Sequence, residues 1–170
     1  MRPTVPDHLD ADLLDLYLSD HLSGAAGGVG RFERMAKVWA DTPFGEEFAA
    51  LARQVGQESD TVREIISALG ARQRRHRQLA VAVAEHMARL KINRRPFRRS
   101  PMGLLLEVEI MRSAVLGKRG LWQTMAELAA DLGLPEETFA TLVERSDEQI
   151  EVLERLHARI RARAFRVAAD

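Results

Sequence analysis

Residues 102–132 read MGLLLEVEIMRSAVLGKRGLWQTMAELAADL, and their apolar side chains recur at alternating steps of four and three residues. This spacing lines up one face of an α-helix and is typical of left-handed helix bundles. A single lysine interrupts the apolar face near its middle. The predicted face consists of Leu104, Val108, Met111, Val115, Lys118, Trp122, Met125, Ala129 and Leu132.

The same spacing continues on both sides of this segment, and the sequence lacks the alternating β-branched runs that would predict strands. Helix-ending residues separate the segments. Thr42 and Pro43 are expected to cap and start one helix, Gly70 to end it, and Ser100 to cap a later one. The five predicted helices span about 9–40, 44–69, 73–91, 102–132 and 136–167, and the third has the weakest pattern.

Length and composition exclude several classes of protein. The chain has 170 residues, which suits a single domain over 1–170, and it contains no cysteine, which excludes disulfides, thiolate metal sites and thiol nucleophiles. No run of about 18 apolar residues predicts a membrane span. The first ten residues lack the apolar core of a signal peptide, so we expect a cytoplasmic protein.

The connections between the predicted helices indicate their directions. Short turns join the first helix to the second and the fourth to the fifth, so each pair is expected to form an antiparallel hairpin. The link between the hairpins has about 30 residues and a helix of its own, which is long enough to cross the bundle and make the second and fourth helices parallel. This all-α, up-down-down-up order resembles the ferritin-like superfamily of four-helix bundles, with an additional helix in the long crossover.

Three short segments carry a second resemblance. The sequences LYLSDHLSGAAGGV (16–29), KINRRPFRRSP (91–101) and GKRGLW (117–122) are similar to an uncharacterised family of small helical proteins of actinobacteria. This second resemblance implies no particular activity.

The ferritin-like resemblance implies a di-iron centre in the middle of the bundle, with a Glu from each of two helices and a Glu-x-x-His from each of the other two. At that level this chain has Ala25 on the first helix, Glu58 on the second and Val115 on the fourth. Glu58 is followed three residues later by Thr61 instead of His. One ligand of six is present, so we expect a degenerate metal site and no cofactor.

Glu58 and Lys118 are predicted to meet in the core. Glu58 lies fourteen residues after Phe44, and Lys118 lies fourteen after Leu104, so in parallel helices both reach one level and face inward. We expect a buried or half-buried ion pair whose lysine puts a positive charge where a metal ion would bind. The alternatives are that the side chains extend to solvent, or that Lys118 has a lowered pKa and acts in catalysis.

The motif Glu154-x-x-His157 suggests a second candidate metal site, nearer one end of the bundle. Carboxylates of the other predicted helices flank their apolar faces at that level, and four carboxylates with one imidazole suit iron or manganese in an oxidase or storage protein. The competing interpretation, which we favour, pairs these groups with nearby arginines such as Arg159 and Arg161. The candidate ligands are Glu33, Glu47, Glu107, Glu154 and His157.

Four glycines lie in the middle of the first predicted helix, in the sequence SGAAGGVG at 23–30. Each costs a helix interior about 1 kcal/mol relative to alanine. Three hypotheses explain them: close approach of a neighbouring helix, which we favour, a ligand pocket, or a local break in the helix. The residues of the candidate pocket are Tyr17, His21, Gly24, Gly28 and Trp122.

Positive charge is concentrated in residues 71–100, where ten cationic residues accompany only Glu85, a net charge of +9 in a chain of zero net charge. Three roles fit this segment: pairing with the acids of the bundle, which we favour, binding an acidic protein or a second subunit, and binding nucleic acid or anionic lipid. The candidate basic surface comprises Arg72, Arg74, Arg75, Arg77, Arg94, Arg95, Arg98 and Arg99.

The sequence carries no phosphate-binding loop, nucleophile elbow or pair of catalytic carboxylates. We therefore expect a non-catalytic structural or partner-binding protein, present as a homodimer or bound to an acidic protein. The alternatives are a metal-binding oxidase or storage protein, and an anion or nucleic-acid binder.

Overall fold

The computed structural model describes residues 5–70 and 99–166, which form four α-helices and no strand. Helix α1 spans Ala11–Val38, α2 spans Gly45–Ala68, α3 spans Pro101–Leu132 and α4 spans Glu136–Arg161. Within these residues the predicted all-α class is confirmed. The third predicted helix, 73–91, lies outside the described residues. None of the four described helices combines the length and apolar character needed to cross a membrane.

Three helix ends follow from the residue types at those positions. The Ser100 hydroxyl accepts a hydrogen bond from the Gly103 amide at 3.1 Å and caps α3. Gly70 and Gly133 lie just beyond α2 and α3 with φ of 65° and 64°, a left-handed conformation that favours glycine. These residues therefore end or begin the helices where the sequence predicts.

Two predicted boundaries are wrong. Thr42 does not cap α2, which begins at Gly45. The Thr42 hydroxyl instead donates a hydrogen bond to the Trp39 carbonyl at 2.7 Å and belongs to the turn that ends α1. The last helix ends at Arg161 rather than near 167, and a turn follows it.

Contacts between helices show the directions in which they run. Tyr17 near the start of α1 donates a hydrogen bond to Thr124 late in α3, whereas Arg31 late in α1 pairs with Glu107 early in α3. The helices α1 and α3 are therefore antiparallel neighbours. Helices α2 and α4 are related in the same way. As a result, α2 and α3 point in one direction and face each other diagonally across the core.

The core consists of two apolar clusters with a polar layer between them. One cluster surrounds Phe32, Phe48 and Met111, and the other surrounds Trp122 and Phe139. We call the level between the clusters the polar layer. It carries Glu58, Ser59, Lys118, Ser146 and Gln149, with Gly24, Ala25 and Gly28 of α1 at the same level.

Candidate functional site

Glu58, Lys118 and Gln149 form a buried hydrogen-bonded triad in the polar layer. The Lys118 ammonium donates to a Glu58 carboxylate oxygen, Oε2, and to Gln149 Oε1, the latter at 2.5 Å. The Gln149 amide nitrogen donates to the other Glu58 oxygen at 2.9 Å and to Gln54 Oε1 at 3.1 Å. The Glu58 side chain is only 1% exposed and that of Lys118 15%. The triad thus joins α2, α3 and α4 at one level.

The position of the ion pair follows from the matching spacing along two helices that share a direction. Burial lowers the pKa of the Lys118 ammonium below its ordinary value, although the charge and hydrogen bond of Glu58 oppose the shift. Arg145 lies near enough to lower that pKa further by charge repulsion. Because Lys118 donates to two acceptors, it is positioned as a fixed charge with its carbon chain buried.

A cavity of about 220 Å³ opens between α1 and α3 beside the triad. We call it the α1–α3 cavity. Its walls include the rings of Phe32 and Trp122, and small residues border it on both helices. These small residues are Gly24, Ala25 and Gly28 on α1, and Ser113, Ala114 and Gly117 on α3. The two helices are bridged near both ends, and the cavity lies between the bridges, where these small residues border it.

None of the described helices packs closely against Gly24 and Gly28. A Cβ built on either glycine meets no described atom within 4 Å. The hypothesis of a helix break is wrong, because α1 is continuous from Ala11 to Val38. The structure instead places His21, Gly24, Gly28 and Trp122 around the cavity.

Two residues lining the cavity have buried polar atoms without a hydrogen-bond partner among the described residues. They are Trp122, through its indole nitrogen, and Ser59, through its hydroxyl. Trp122 is fully buried and Ser59 is 3% exposed. A buried polar group without a partner is uncommon, because it loses its hydration and gains nothing in return. Both groups belong to residues of the cavity lining, and each needs a side-chain shift to reach a molecule held there, because the two atoms are closed off from solvent.

Asp20 and His21 border the mouth of the cavity. The His21 ring meets the Tyr17 ring edge-on with centroids 4.6 Å apart. Tyr17 itself does not line the cavity, and its hydroxyl donates to Thr124 Oγ1 at 3.1 Å. Burial lowers the pKa of His21 below the ordinary 6.5, and the nearby charge of Asp20 opposes this shift.

Stability should fall as the pH drops below 6.5, in part because of His21. The unfolded chain holds the His21 proton more readily than the folded chain, so protonation favours unfolding in this range. Urea unfolding between pH 7 and 5 should show a smaller loss of stability for His21→Asn than for the wild type. An NMR titration midpoint of the His21 ring at or above 6.5 would contradict this prediction.

The five candidate ligands of the second metal site are not brought together. Glu107 pairs with Arg31 at 2.5 Å, and Glu154 pairs with Arg112 at 3.0 Å. Within residues 5–70 and 99–166, no three Asp, Glu or His side chains are grouped so that they could hold a metal ion. Of the remaining candidates, Glu47 pairs with Arg159, His157 contacts Glu109, and Glu33 is exposed. Arginine side chains therefore form ion pairs with three of the five candidates, Glu47, Glu107 and Glu154.

Most of the candidate basic surface lies outside the described residues. Of its eight arginines only Arg99 is described, and it forms an ion pair with Asp41. Its guanidinium also lies over the Trp39 ring, 5.3 Å from the centroid. Of the three roles predicted for the basic segment, this contact fits the first, in which its arginines pair with acids of the bundle.

Sequence analysis missed Gln149, Ser59 and the Arg31–Glu107 bridge. Gln149 precedes Ile150, which packs partly buried against an apolar cluster, and the Gln149 amide is turned inward as well. Ser59 is next to Glu58, and the prediction assigned only Glu58 to this polar position. Residues next to an apolar-face position can also be buried in a polar layer, and a prediction that allowed for this would have included Gln149 and Ser59.

The chain was compared with protein-family models, with curated proteins and with solved structures, and none of them matches it. Its function is therefore inferred from the polar layer and the α1–α3 cavity.

Proposed function

We propose that this protein is a non-catalytic binding protein that holds a small, largely apolar molecule in the α1–α3 cavity. The observation that carries the proposal is the cavity itself, about 220 Å³ between two helices bridged on either side of it. A cavity of about 150 Å³ in a protein core is enough to take up benzene. The aromatic walls of Phe32 and Trp122 suit a ring-sized ligand.

The proposal includes the ferritin-like arrangement, with the Glu58–Lys118 pair in place of a metal centre. Supporting it are the shared direction of α2 and α3 and the central level of the pair. The Lys118 ammonium supplies positive charge next to the only carboxylate that fits the ligand pattern. A structural or partner-binding role is compatible with this arrangement, and the ligand would then stabilise the form that meets the partner.

A non-catalytic role is supported by the way in which Lys118 is held. A catalytic amine needs a free lone pair, whereas the Lys118 ammonium donates to Glu58 and Gln149. Among the described residues, neither serine of the cavity lining is hydrogen-bonded to a basic side chain, because Ser113 donates to the Glu109 carbonyl and Ser59 has no partner.

Titration with toluene and benzoate tests the proposal. The chain has two tryptophans, whose indole N–H signals can be followed by NMR and assigned with Trp39→Phe. We expect both probes to shift the Trp122 signal, which reports the cavity, and to leave the Trp39 signal in place.

Filling the cavity should abolish this binding. Gly28→Leu projects a side chain into the cavity and should weaken both probes by about 10-fold or more. Gly30→Leu is the matched control, because Gly30 is exposed on the same helix and does not line the cavity. Absence of a Trp122 shift with either probe, or unchanged binding by Gly28→Leu, would overturn the proposal.

Two further sequence-based hypotheses stay predictions: a homodimer or an acidic protein partner bound through the basic segment, and a cytoplasmic location. The alternatives of a metal-binding protein and of a nucleic-acid binder are kept as hypotheses without a supporting contact in residues 5–70 and 99–166.

A further inference from the structure

Helix α3 forms one wall of the α1–α3 cavity, and this wall carries hydrogen-bond donors that have no acceptor in the described part of the chain. Lys118 and Trp122 are four residues apart on α3, so their side chains lie on one face of the helix. The ammonium has three N–H groups, and two of them reach Glu58 and Gln149. The Trp122 indole N–H has no partner among the described residues, and an indole nitrogen can only donate.

The acceptors of the same layer are already in use. One Glu58 oxygen accepts from Lys118 and the other from Gln149. The Gln149 carbonyl oxygen accepts from Lys118 as well. The Ser59 hydroxyl, which can donate or accept, is the other buried group of the cavity lining without a partner among the described residues. The polar group that fits this wall is therefore an acceptor.

The charges around the layer favour a negatively charged acceptor. Lys118 and Glu58 balance each other in the layer, and the half-buried Arg145, which does not line the cavity, lies near enough to Lys118 to add positive potential there. Asp20 lies at the mouth, where it is exposed and screened by water. His21 is the other titratable group at the mouth, and its lowered pKa keeps it uncharged at neutral pH.

We propose that the ligand of this cavity is a small carboxylic acid with an apolar body, bound as its carboxylate by Lys118 and the Trp122 indole N–H. This inference rests on the proposed binding function and specifies the chemical class of the ligand. The Ser59 hydroxyl donates the third hydrogen bond from α2. The apolar body packs between the Phe32 and Trp122 rings and the small residues of α1.

Four compounds that share one aromatic ring test the inference: benzoate, benzamide, toluene and benzylamine. Their dissociation constants are measured by saturation-transfer NMR on the ligand signals, which also works for variants without Trp122. We expect benzoate to bind about 10-fold more tightly than toluene, benzamide to lie between them, and benzylamine to bind most weakly.

Two variants identify the groups that bind the carboxylate. Trp122→Phe keeps an aromatic ring and removes the N–H, and should weaken benzoate about 5-fold while leaving toluene within about 2-fold. Ser59→Ala should act in the same direction and is the milder change if Trp122→Phe fails to fold. Trp39→Phe is the matched control and should leave all four constants unchanged, since Trp39 does not line the cavity.

The outcomes separate this inference from the proposed function. Equal affinities for all four compounds would mean that the cavity binds a ring without selecting a carboxylate. This result would support the proposed binding function and contradict the inference. Tightest binding of benzylamine would also overturn the inference, because Asp20 or Glu58 would then select a cation. Failure of all four compounds to bind would overturn the function and the inference together.

Discussion

Replacing Lys118 with methionine should lower the free energy of unfolding by about 3–5 kcal/mol. Methionine has a similar length and stays apolar, so the loss comes from the charge and its hydrogen bonds. The Glu58 carboxylate, 1% exposed, would keep one hydrogen bond from Gln149 and lose its counter-charge. Urea unfolding followed by circular dichroism at pH 7 measures the effect.

Two controls separate the buried charge from other effects of the substitution. The double variant Glu58→Gln, Lys118→Met should recover about half of the loss, because it removes the uncompensated carboxylate and keeps the contact with Gln149. Arg63→Met breaks an exposed ion pair with Asp60 and should cost less than about 1 kcal/mol. A loss of under 1 kcal/mol for Lys118→Met would show that Glu58 reaches water.

Replacing both Gly24 and Gly28 with alanine should raise the free energy of unfolding by about 2 kcal/mol. Each substitution removes the entropic cost of a glycine inside a helix, about 1 kcal/mol. The new methyl groups meet no described atom within 4 Å, so they add no clash. For a chain of this size the gain corresponds to a rise in Tm of roughly 4–8 °C, which differential scanning calorimetry can measure.

Gly45 is the matched control, and it should respond with the opposite sign. A Cβ on Gly45 would lie 2.6 Å from the Ala40 carbonyl oxygen, so Gly45→Ala must shift the backbone of the turn between α1 and α2. A destabilised Gly24→Ala, Gly28→Ala variant would mean that this face of α1 packs against another part of the protein, as the close-packing hypothesis expects.

Much of the fold follows from residue spacing. The apolar faces of the second and fourth predicted segments correspond to α2 and α3, and Ser100, Gly70 and Gly133 mark helix ends because capping depends on local chemistry. The prediction for Thr42 was wrong although its hydroxyl makes both local hydrogen bonds: it donates to the Trp39 carbonyl and accepts from the Phe44 amide. Such a bond does not by itself fix the start of a helix, and α2 begins only at Gly45.

One part of the candidate site could also be predicted from the sequence, and another part could not. The meeting of Glu58 and Lys118 depends on equal spacing along two helices, which a sequence contains. The cavity depends on the distance between α1 and α3, which no residue pattern encodes. Glycines on one helix predict close packing when the neighbour is also close, and an opening when bridges such as Arg31–Glu107 hold the neighbour away.

The polar layer also bears on the axial alignment of the helices. Sliding α3 by one turn, about 5.4 Å, would keep its leucine, valine and methionine side chains against apolar neighbours, because the spacing repeats. The same shift would move Lys118 away from Glu58 and Gln149. The buried Glu58 carboxylate and the buried Gln149 amide would then both lose their hydrogen bond from the ammonium. We therefore expect Glu58, Lys118 and Gln149 to select one register among several that are equally compatible with the apolar faces.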